Sequence, residues 1–325
     1  MTNITIECIL GVVTEKAMKY IEKNAEQAKK EKQQTAQPND QALQRHRWIP
    51  VKLLDRKAIS RDTREYKFKL PEGKPTLGIG ACQHIEVAFH MKDRMLIRPY
   101  TPTQPLLPPA SSSSNGYQEN GKSHFVSQVR DGKGAFTLTI KTYFPNDDQP
   151  GGAMSNVLDC LPLGEEVDIR GPMGDLVYEG YGNFTIAGEK KKFKRVSLVI
   201  GGSGITPAYA LIARILLTDG DKTKIRVIDA NKTTSDILLR DQLDKFVKDS
   251  ASQLEITHVI SKPDENWHGL SGHVNESILR EHIFEPSDEN VAILCGPPTM
   301  IEKAVLPALD GNSRLSLAPK CFTDK

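Results

Sequence analysis

Val196-Ser197-Leu198-Val199-Ile200 runs straight into Gly201-Gly202-Ser203-Gly204-Ile205-Thr206-Pro207, and an apolar run rich in Ala, Leu and Ile continues to Leu216. The order reads as a strand, a turn and a helix. Glycines let a backbone turn tightly and approach a ligand closely, and proline suits the first helical turn, where no N–H is needed. A helix opened in this way aims N–H groups and about half a positive charge at whatever lies in front of it. Phosphate is the usual occupant. Glycines between a strand and a helix also serve close packing alone, so the turn by itself leaves both readings open.

From the glycine turn onward, strands alternate with helices. Val196–Ile200, Lys224–Asp229, Leu254–Ile260 and Val291–Leu294 are β-rich, and helical stretches at Tyr209–Leu217, Asp236–Lys248 and Val274–Ile283 lie between them. Such alternation predicts a parallel sheet covered on both faces, with ligands at the carboxyl ends of its strands. Gly201 falls at one such end. Cys295 falls at another, in Cys295-Gly296-Pro297-Pro298-Thr299-Met300, a rigid turn that opens a further helix.

Upstream the pattern is different. Short β-type runs separated by turn residues occupy Trp48–Leu54, Glu65–Leu70, His84–Phe89, Phe136–Tyr143 and Glu166–Arg170, a spacing that predicts an antiparallel barrel or sandwich. Within it, Gln104–Gly134 is rich in Pro, Ser, Gly and Asn and reads as a disordered surface insertion. Before it, Thr14–Gln34 carries Ala17, Met18, Ile21, Ala25 and Ala28 at helical spacing and gives way to a polar linker with Pro38. The expected division is a helix and linker over 1–42, a barrel over 43–181 interrupted at 104–134, and an α/β domain over 182–325.

Composition narrows the function class. The 325 residues are 38% hydrophobic and 26% charged, with a net charge of +2, so no overall field favours nucleic acid or a membrane surface. No apolar run has the eighteen or so residues of a spanning helix. The start of the chain lacks the pattern of a secretory signal, and a cytoplasmic protein is expected. Five scattered cysteines without a Cys-x-x-Cys pair argue against structural zinc, an iron–sulfur cluster and a disulfide framework. No metal site is expected.

Four separated motifs stand in order: Arg98-Pro99-Tyr100-Thr101, Gly151-Gly152-Ala153-Met154-Ser155, the turn at Gly201, and Cys295 to Met300. Together they resemble the flavin reductases of the cytochrome b5 reductase family, over roughly Leu43 to Leu309. Thr142-Tyr143-Phe144-Pro145 leading into Gln149-Pro150, and Val227-Ile228-Asp229-Ala230-Asn231-Lys232 leading into Asp236-Ile237-Leu238-Leu239-Arg240, are most similar to the C-terminal flavin part of fungal assimilatory nitrate reductases. The resemblance implies a ferredoxin reductase-like fold, an antiparallel FAD barrel followed by an α/β nicotinamide-nucleotide domain. Hydride would pass from NADPH or NADH to FAD, and single electrons onward to a cytochrome b5-type haem.

The residue types suit those roles. Arg98 is a rigid fork of donors that matches a phosphate. The resemblance puts Pro99 and Tyr100 against the flavin, Thr101 near its N5, and His84 behind Thr101 as a proton relay. Gly151 to Ser155 can present successive N–H groups and a hydroxyl to the FAD pyrophosphate. Lys141 is expected as a charge partner for the flavin, with Thr139 and Phe144 on the same wall. From the other domain, Gly201, Gly202, Gly204 and Thr206 would meet the flavin and nicotinamide, with Gly296, Pro297, Pro298 and Met300 around Cys295, the thiol beside the nicotinamide ring. Cys82 stands where the family usually has glycine.

Two arguments about the nucleotide disagree. Asp229 ends the second strand of the α/β half, 27 residues beyond Gly202, where dinucleotide folds place an acid for a free ribose 2′-OH, favouring NADH. One strand later, NADH-selective members of the family carry an acid where this chain has Ser261 followed by Lys262, with His273 nearby. A hydroxyl beside a cation removes repulsion of a 2′-phosphate and adds attraction, favouring NADPH. The second argument rests on the closer resemblance and is preferred.

The haem-binding His-Pro-Gly-Gly signature of full nitrate reductases is absent, and Met1–Glu31 bears only a faint likeness to the tail of such a domain. Nitrate reduction by this chain alone is not expected. A cationic run, Lys190, Lys191, Lys192, Lys194 and Arg195, reads as a solvated hairpin or as a dock for an acidic haem protein. The competing reading is a non-catalytic nucleotide-binding remnant of a nitrate reductase, prompted by Cys82 and by a C-terminal tail whose only aromatic is Phe322.

Overall fold

The computed structural model describes residues 40–105, 134–147, 150–309 and 316–317. From Ala42 onward the described residues belong to one compact unit. The helix expected over Thr14–Gln34, most of the 104–134 insertion and the C-terminal tail fall outside the described residues.

Alternation of side chains builds the first half. β1 (Ile49–Ala58) begins by burying Ile49, Val51 and Leu53 while Pro50, Lys52 and Leu54 face out, the period-2 pattern of a strand with one wet face. With β2 (Thr63–Lys69), β3 (His84–His90), β4 (Met95–Tyr100), β5 (Ala135–Lys141) and β6 (Glu166–Met173) it forms a six-stranded antiparallel sheet in the order β4-β3-β6-β1-β2-β5. The chain leaving β4 joins the sheet's far edge: Thr103 N donates to Thr137 O (2.9 Å) and Thr137 N to Gln104 O (2.8 Å). These bonds close the sheet into a barrel. Tyr66, Phe68, Phe136, Leu138 and Met154 fill it. One helix, α1 (Ala153–Cys160), packs its Leu158 into this core.

A three-stranded sheet, β7 (Leu176–Gly180), β8 (Asn183–Ile186) and β9 (Glu189–Lys192), leads to the second half. The Tyr178 hydroxyl donates to Asp221, which also accepts from the Tyr181 amide (2.8 Å). Buried bonds of this kind hold the hairpin firmly against the next sheet.

That sheet is wholly parallel. β10 (Arg195–Gly201), β11 (Lys224–Asn231), β12 (Leu254–Ile260), β13 (Leu270–Ser271), β14 (Asn290–Cys295) and β15 (Ser316–Leu317) lie in the order β13-β12-β11-β10-β14-β15. A near-continuous apolar run marks its central strand, as expected when both faces are covered. α2 (Ile205–Leu216) and α3 (Arg240–Asp249) bury Leu211, Ile212, Leu243 and Phe246 on one face. On the other face, α4 (Glu276–His282) and a helical segment contribute Leu279, Ile301 and Val305. That segment comprises α5 (Pro298–Met300), a π turn (Ile301–Val305) and α6 (Leu306–Leu309).

Strand order reverses beside β10, which pairs with β11 on one side and β14 on the other. Ligands of open α/β sheets bind at such a reversal, outside the carboxyl ends of the strands. Ile200 pairs with Cys295 in register there, so the two motifs singled out in this half are neighbours.

Candidate functional site

A cleft of about 460 Å³ opens at the strand reversal, with the barrel as one wall and the parallel sheet as the other. Two helical starts opened by glycine face it, those of α1 and of the 3-10 turn Gly202–Gly204 that leads into α2, and no side chain caps either; α5 also starts here, but its Pro297 and Pro298 bring no N–H. Away from the cleft, Asn275 caps α4 and a Thr233–Asp236 capping box closes the 3-10 turn Thr234–Asp236. Amides left without a side-chain acceptor are what an anion in the cleft would use.

Close backbone approach shapes the sheet wall. A Cβ at Gly204 would lie 2.4 Å from the Cys295 carbonyl oxygen, and one at Gly201 would lie 2.7 Å from Pro297 Cδ. Glycine is required for the two turns to nest. Cys295 is buried and forms no disulfide. Thr206 is buried beside it, with its hydroxyl donating to Ser203 O at 3.2 Å.

On the barrel wall, Gly151 has φ of +79° and lets the chain double back so that Gly152 N donates to Tyr143 O (2.8 Å). The Ser155 hydroxyl sits in this loop, accepting from Tyr143 N (3.3 Å) and donating to Gly152 O (3.1 Å). Arg98 is half-buried on β4, and its Nη1 donates to Ile97 O (2.7 Å).

The charge of Lys141 is already engaged. Its ammonium lies between Asp62 (3.0 Å), in the barrel, and Asp236, on the parallel-sheet side. Burial alone would lower its pKa, but the two carboxylates outweigh that and raise it. Burial likewise pushes Asp236 up, while Lys141 and the Thr233 hydroxyl and amide hold it below the usual carboxylate range.

Most of the residues picked from the sequence line this one cleft: Arg98, Pro99, Tyr100, Thr101, Thr139, Lys141, Ala153, Met154, Ser155, Gly201, Gly202, Gly204, Thr206, Cys295, Gly296, Pro297 and Pro298. Met300 lies just behind it, placed so that its Cε would be 3.1 Å from a Cβ at Gly201. Phe144 does not line the cleft; it is exposed, and Arg64 lies 6.0 Å from its ring. Tyr143 lines the cleft instead. β5 ends at Lys141, and Tyr143 is held at the cleft by the hydrogen bonds of its backbone to Gly152 and Ser155, a long-range constraint with no periodic signal in the sequence.

His84 is also not a lining residue. It is buried against the turn after β6, and that burial pushes its pKa down to about 4, partly opposed by a hydrogen bond with the Met173 backbone. Its ring is neutral at pH 7. Cys82, nearby, has φ of +74°, which accounts for glycine as the usual occupant of that position.

Ser261, Lys262 and His273 stand farther along the same carboxyl edge. Ser261 N donates to Asn231 O (3.0 Å) and Lys262 N to Lys232 O (2.7 Å), which stitches the ends of β11 and β12 together. Asp229 is turned away, buried to 1% exposure with Oδ2 3.0 Å from His258 Nδ1. A ribose hydroxyl has no access to it.

Of the cationic run, Lys190, Lys191 and Lys192 are exposed on β9, while Lys194 and Arg195 stand at the opposite pole of the parallel sheet. Lys194 N donates to Glu289 O (2.8 Å), before the first residues of β10 and β14. The seven residues of β10 separate it from the cleft by roughly 20 Å. Among the described residues no cluster of metal-ligating side chains occurs, and no helix is long and apolar enough to cross a membrane.

Comparison with known proteins points the same way. The oxidoreductase FAD-binding domain family matches residues 50–109 and 116–178, and the oxidoreductase NAD-binding domain family matches 198–305. An NADH nitrate reductase of Spinacia oleracea is 37% identical over 266 residues, 81% of this chain and 26% of the relative. An Arabidopsis thaliana NADH nitrate reductase is 35% identical over 284 residues, 86% of this chain and 28% of the relative. The chain thus spans about a quarter of the length of the curated relatives it matches. The crystal structure of the cytochrome b5 reductase domain of Ulva prolifera nitrate reductase superposes with a TM-score of 0.74 at 25% identity, covering 85% of this chain and 99% of that one. A ferredoxin NADP+ reductase from Neisseria gonorrhoeae shares the fold, with a TM-score of 0.58 at 15% identity, covering 85% of this chain and 99% of that one.

Proposed function

Since the chain belongs to the FAD- and NAD-binding oxidoreductases, close to the reductase region of nitrate reductases and to cytochrome b5 reductase domains, we propose that the cleft carries hydride transfer from NADPH to FAD. The observation that supports this most is the pair of uncapped, glycine-opened helix starts, one on each wall of a single cleft at the strand reversal. FAD, when bound, supplies the conversion of a two-electron donation into single-electron steps.

The protein's own residues bind and orient. Arg98 and the amides at the start of α1 hold the flavin's phosphates, with Ser155 bracing the loop that aims those amides. Tyr100, Thr101 and Tyr143 form the surface against which the flat ring lies. Cys295, Gly204 and Thr206 hold the nicotinamide half of the donor against that ring. Because His84 is neutral and outside the cleft, its role is to pack behind Thr101 rather than to relay a proton. Positioning two rings within reach of direct transfer is the main catalytic task.

For the donor, we read NADPH as preferred. Ser261, Lys262 and His273 supply a hydroxyl and cationic or neutral groups at the carboxyl edge, and the one acid that could have favoured a free ribose, Asp229, is buried against His258. Two curated relatives bear NADH in their names, so the preference sets this chain apart from them. For the acceptor, the nitrate reductase relatives support a cytochrome b5-type haem, on a separate domain or protein. Lys194 and Arg195, at the far pole of the sheet, are too remote to seat it for electron transfer. Anaerobic titration of the purified yellow protein with NADPH and NADH tests the whole reading. Bleaching at lower NADPH than NADH is expected; a protein that binds no FAD would overturn the proposal and favour the non-catalytic remnant.

A further inference from the structure

We propose that Asp236 is a positioning residue that clasps Lys141 across the cleft and yields it when an anionic nucleotide enters, so that donor binding is coupled to release of the contact between barrel and sheet. This rests on reading the cleft as the donor site. Three observations carry it.

Lys141 belongs to β5 of the barrel and lines the cleft, whereas Asp236 stands in the turn after β11 of the parallel sheet. Their ion pair therefore joins the two walls. Asp62 pairs with the same ammonium at 3.0 Å but belongs to the barrel, so that bond is kept whichever way the walls move. All three side chains are about one-third exposed or less.

Asp236 is held rigidly. Its Oδ2 accepts from the Thr233 amide (2.9 Å) and hydroxyl (2.7 Å), which leaves Oδ1 aimed at Lys141. One ammonium between two carboxylates leaves a net negative charge beside a cleft built for phosphates. An entering nucleotide must compete for that ammonium, and the grip that opposes it across the cleft is that of Asp236. A cation already held by two acids becomes useful to a phosphate only when one lets go.

The test compares Asp236→Asn with Asp62→Asn in the full FAD-loaded chain, with Asn in each case keeping an oxygen for the local hydrogen bonds. Binding of the oxidised nucleotides NADP+ and NAD+ is measured by calorimetry, with flavin content and melting temperature recorded for each variant. Loss of the clasp predicts that Asp236→Asn tightens NADP+ binding about fivefold, while Asp62→Asn changes it less than twofold. Equal tightening by both variants would reduce the effect to local charge and overturn the clasp. A lower melting temperature with unchanged affinity would mark Asp236 as structural only and overturn it as well. If the unaltered protein holds FAD but binds neither nucleotide, the donor-site reading fails first, and the clasp with it.

Discussion

The two ends of the parallel sheet are built from opposite materials. At the carboxyl end, Gly201, Gly204 and Gly296 bring backbone within a Cβ's width of backbone, helix starts are left uncapped, and the cleft's own cations are Arg98 and Lys141 from the barrel. At the amino end, Arg195, Lys224 and Arg226 line a cavity of about 250 Å³ together with Phe284, Glu255 pairs with Arg226, and Lys194 beside them in sequence pairs with Glu289. The more basic end is not the one that carries the site. On the proposed reading, phosphate recognition depends on oriented amides with an arginine, which fix a ligand's place, and not on the density of side-chain charge.

Spoiling the backbone fit should break this contrast most. In Gly204→Ala the new methyl meets the Cys295 carbonyl oxygen at 2.4 Å, and neither partner is a flexible side-chain end. A shift of about 1 Å in the nicotinamide shelf costs on the order of 100-fold in hydride transfer. Stopped-flow reduction of the flavin should show that loss with FAD content unchanged.

Charge is also kept out of the barrel behind the cleft, and pH reads this out. His84 has a folded pKa of about 4 against 6.5 for the ordinary ring, so the unfolded chain binds more protons between those values. Stability should therefore be complete above pH 6.5 and fall as pH drops toward 4, by about 3 kcal/mol from this group. Urea midpoints at several pH values check the slope, which His84→Gln should flatten.

At the carboxyl edge, Ser261→Asp restores the acid that repels a 2′-phosphate. Preference for NADPH over NADH, measured as the ratio of kcat/KM values, should swing by roughly tenfold toward NADH, the scale of one exposed like-charge contact. An unchanged ratio would return the choice to Asp229, despite its burial against His258.

Much of this arrangement was legible beforehand, for reasons that can be named. The glycine turn, the alternation after it and the Cys295 motif placed two strand ends at the carboxyl edge of a parallel sheet, because a fully buried parallel strand leaves an unbroken apolar run; the strand reversal between them was not read. β4 was not read, although it carries Arg98-Pro99-Tyr100. Its residues are all half-buried or exposed and show no alternation, since one face serves the cleft. The cationic run was legible as a solvated hairpin, since β9 pairs antiparallel with β8 and exposes all four of its charged residues. Phe144 was expected on the wall that Tyr143 lines, because past the end of β5 the loop held by Gly152 and Ser155 decides which side chain faces the cleft, and that loop has no simple period. The clasp of Asp62, Lys141 and Asp236 has no sequence signature, because its members come from three separate segments and only the closed fold brings them together.

The smallest effect belongs to the amino end, and it is the one that most sharpens the contrast. Arg195 and Lys224 are paired in register across β10 and β11, where like charges oppose each other. Neither forms an ion pair among the described residues, while the neighbouring Lys194 and Arg226 each hold a glutamate. Lys224→Gln should therefore leave stability within about 0.5 kcal/mol of the original, with any shift on the stabilising side at low salt, where screening is weakest. Thermal melts at two salt concentrations show the sign. Flavin reduction and nucleotide affinity should not change, since roughly 20 Å of strand separates Lys224 from the cleft. A tenfold loss of either would mean that the basic pole takes part in turnover, and that the division of labour between the sheet's two ends is wrong.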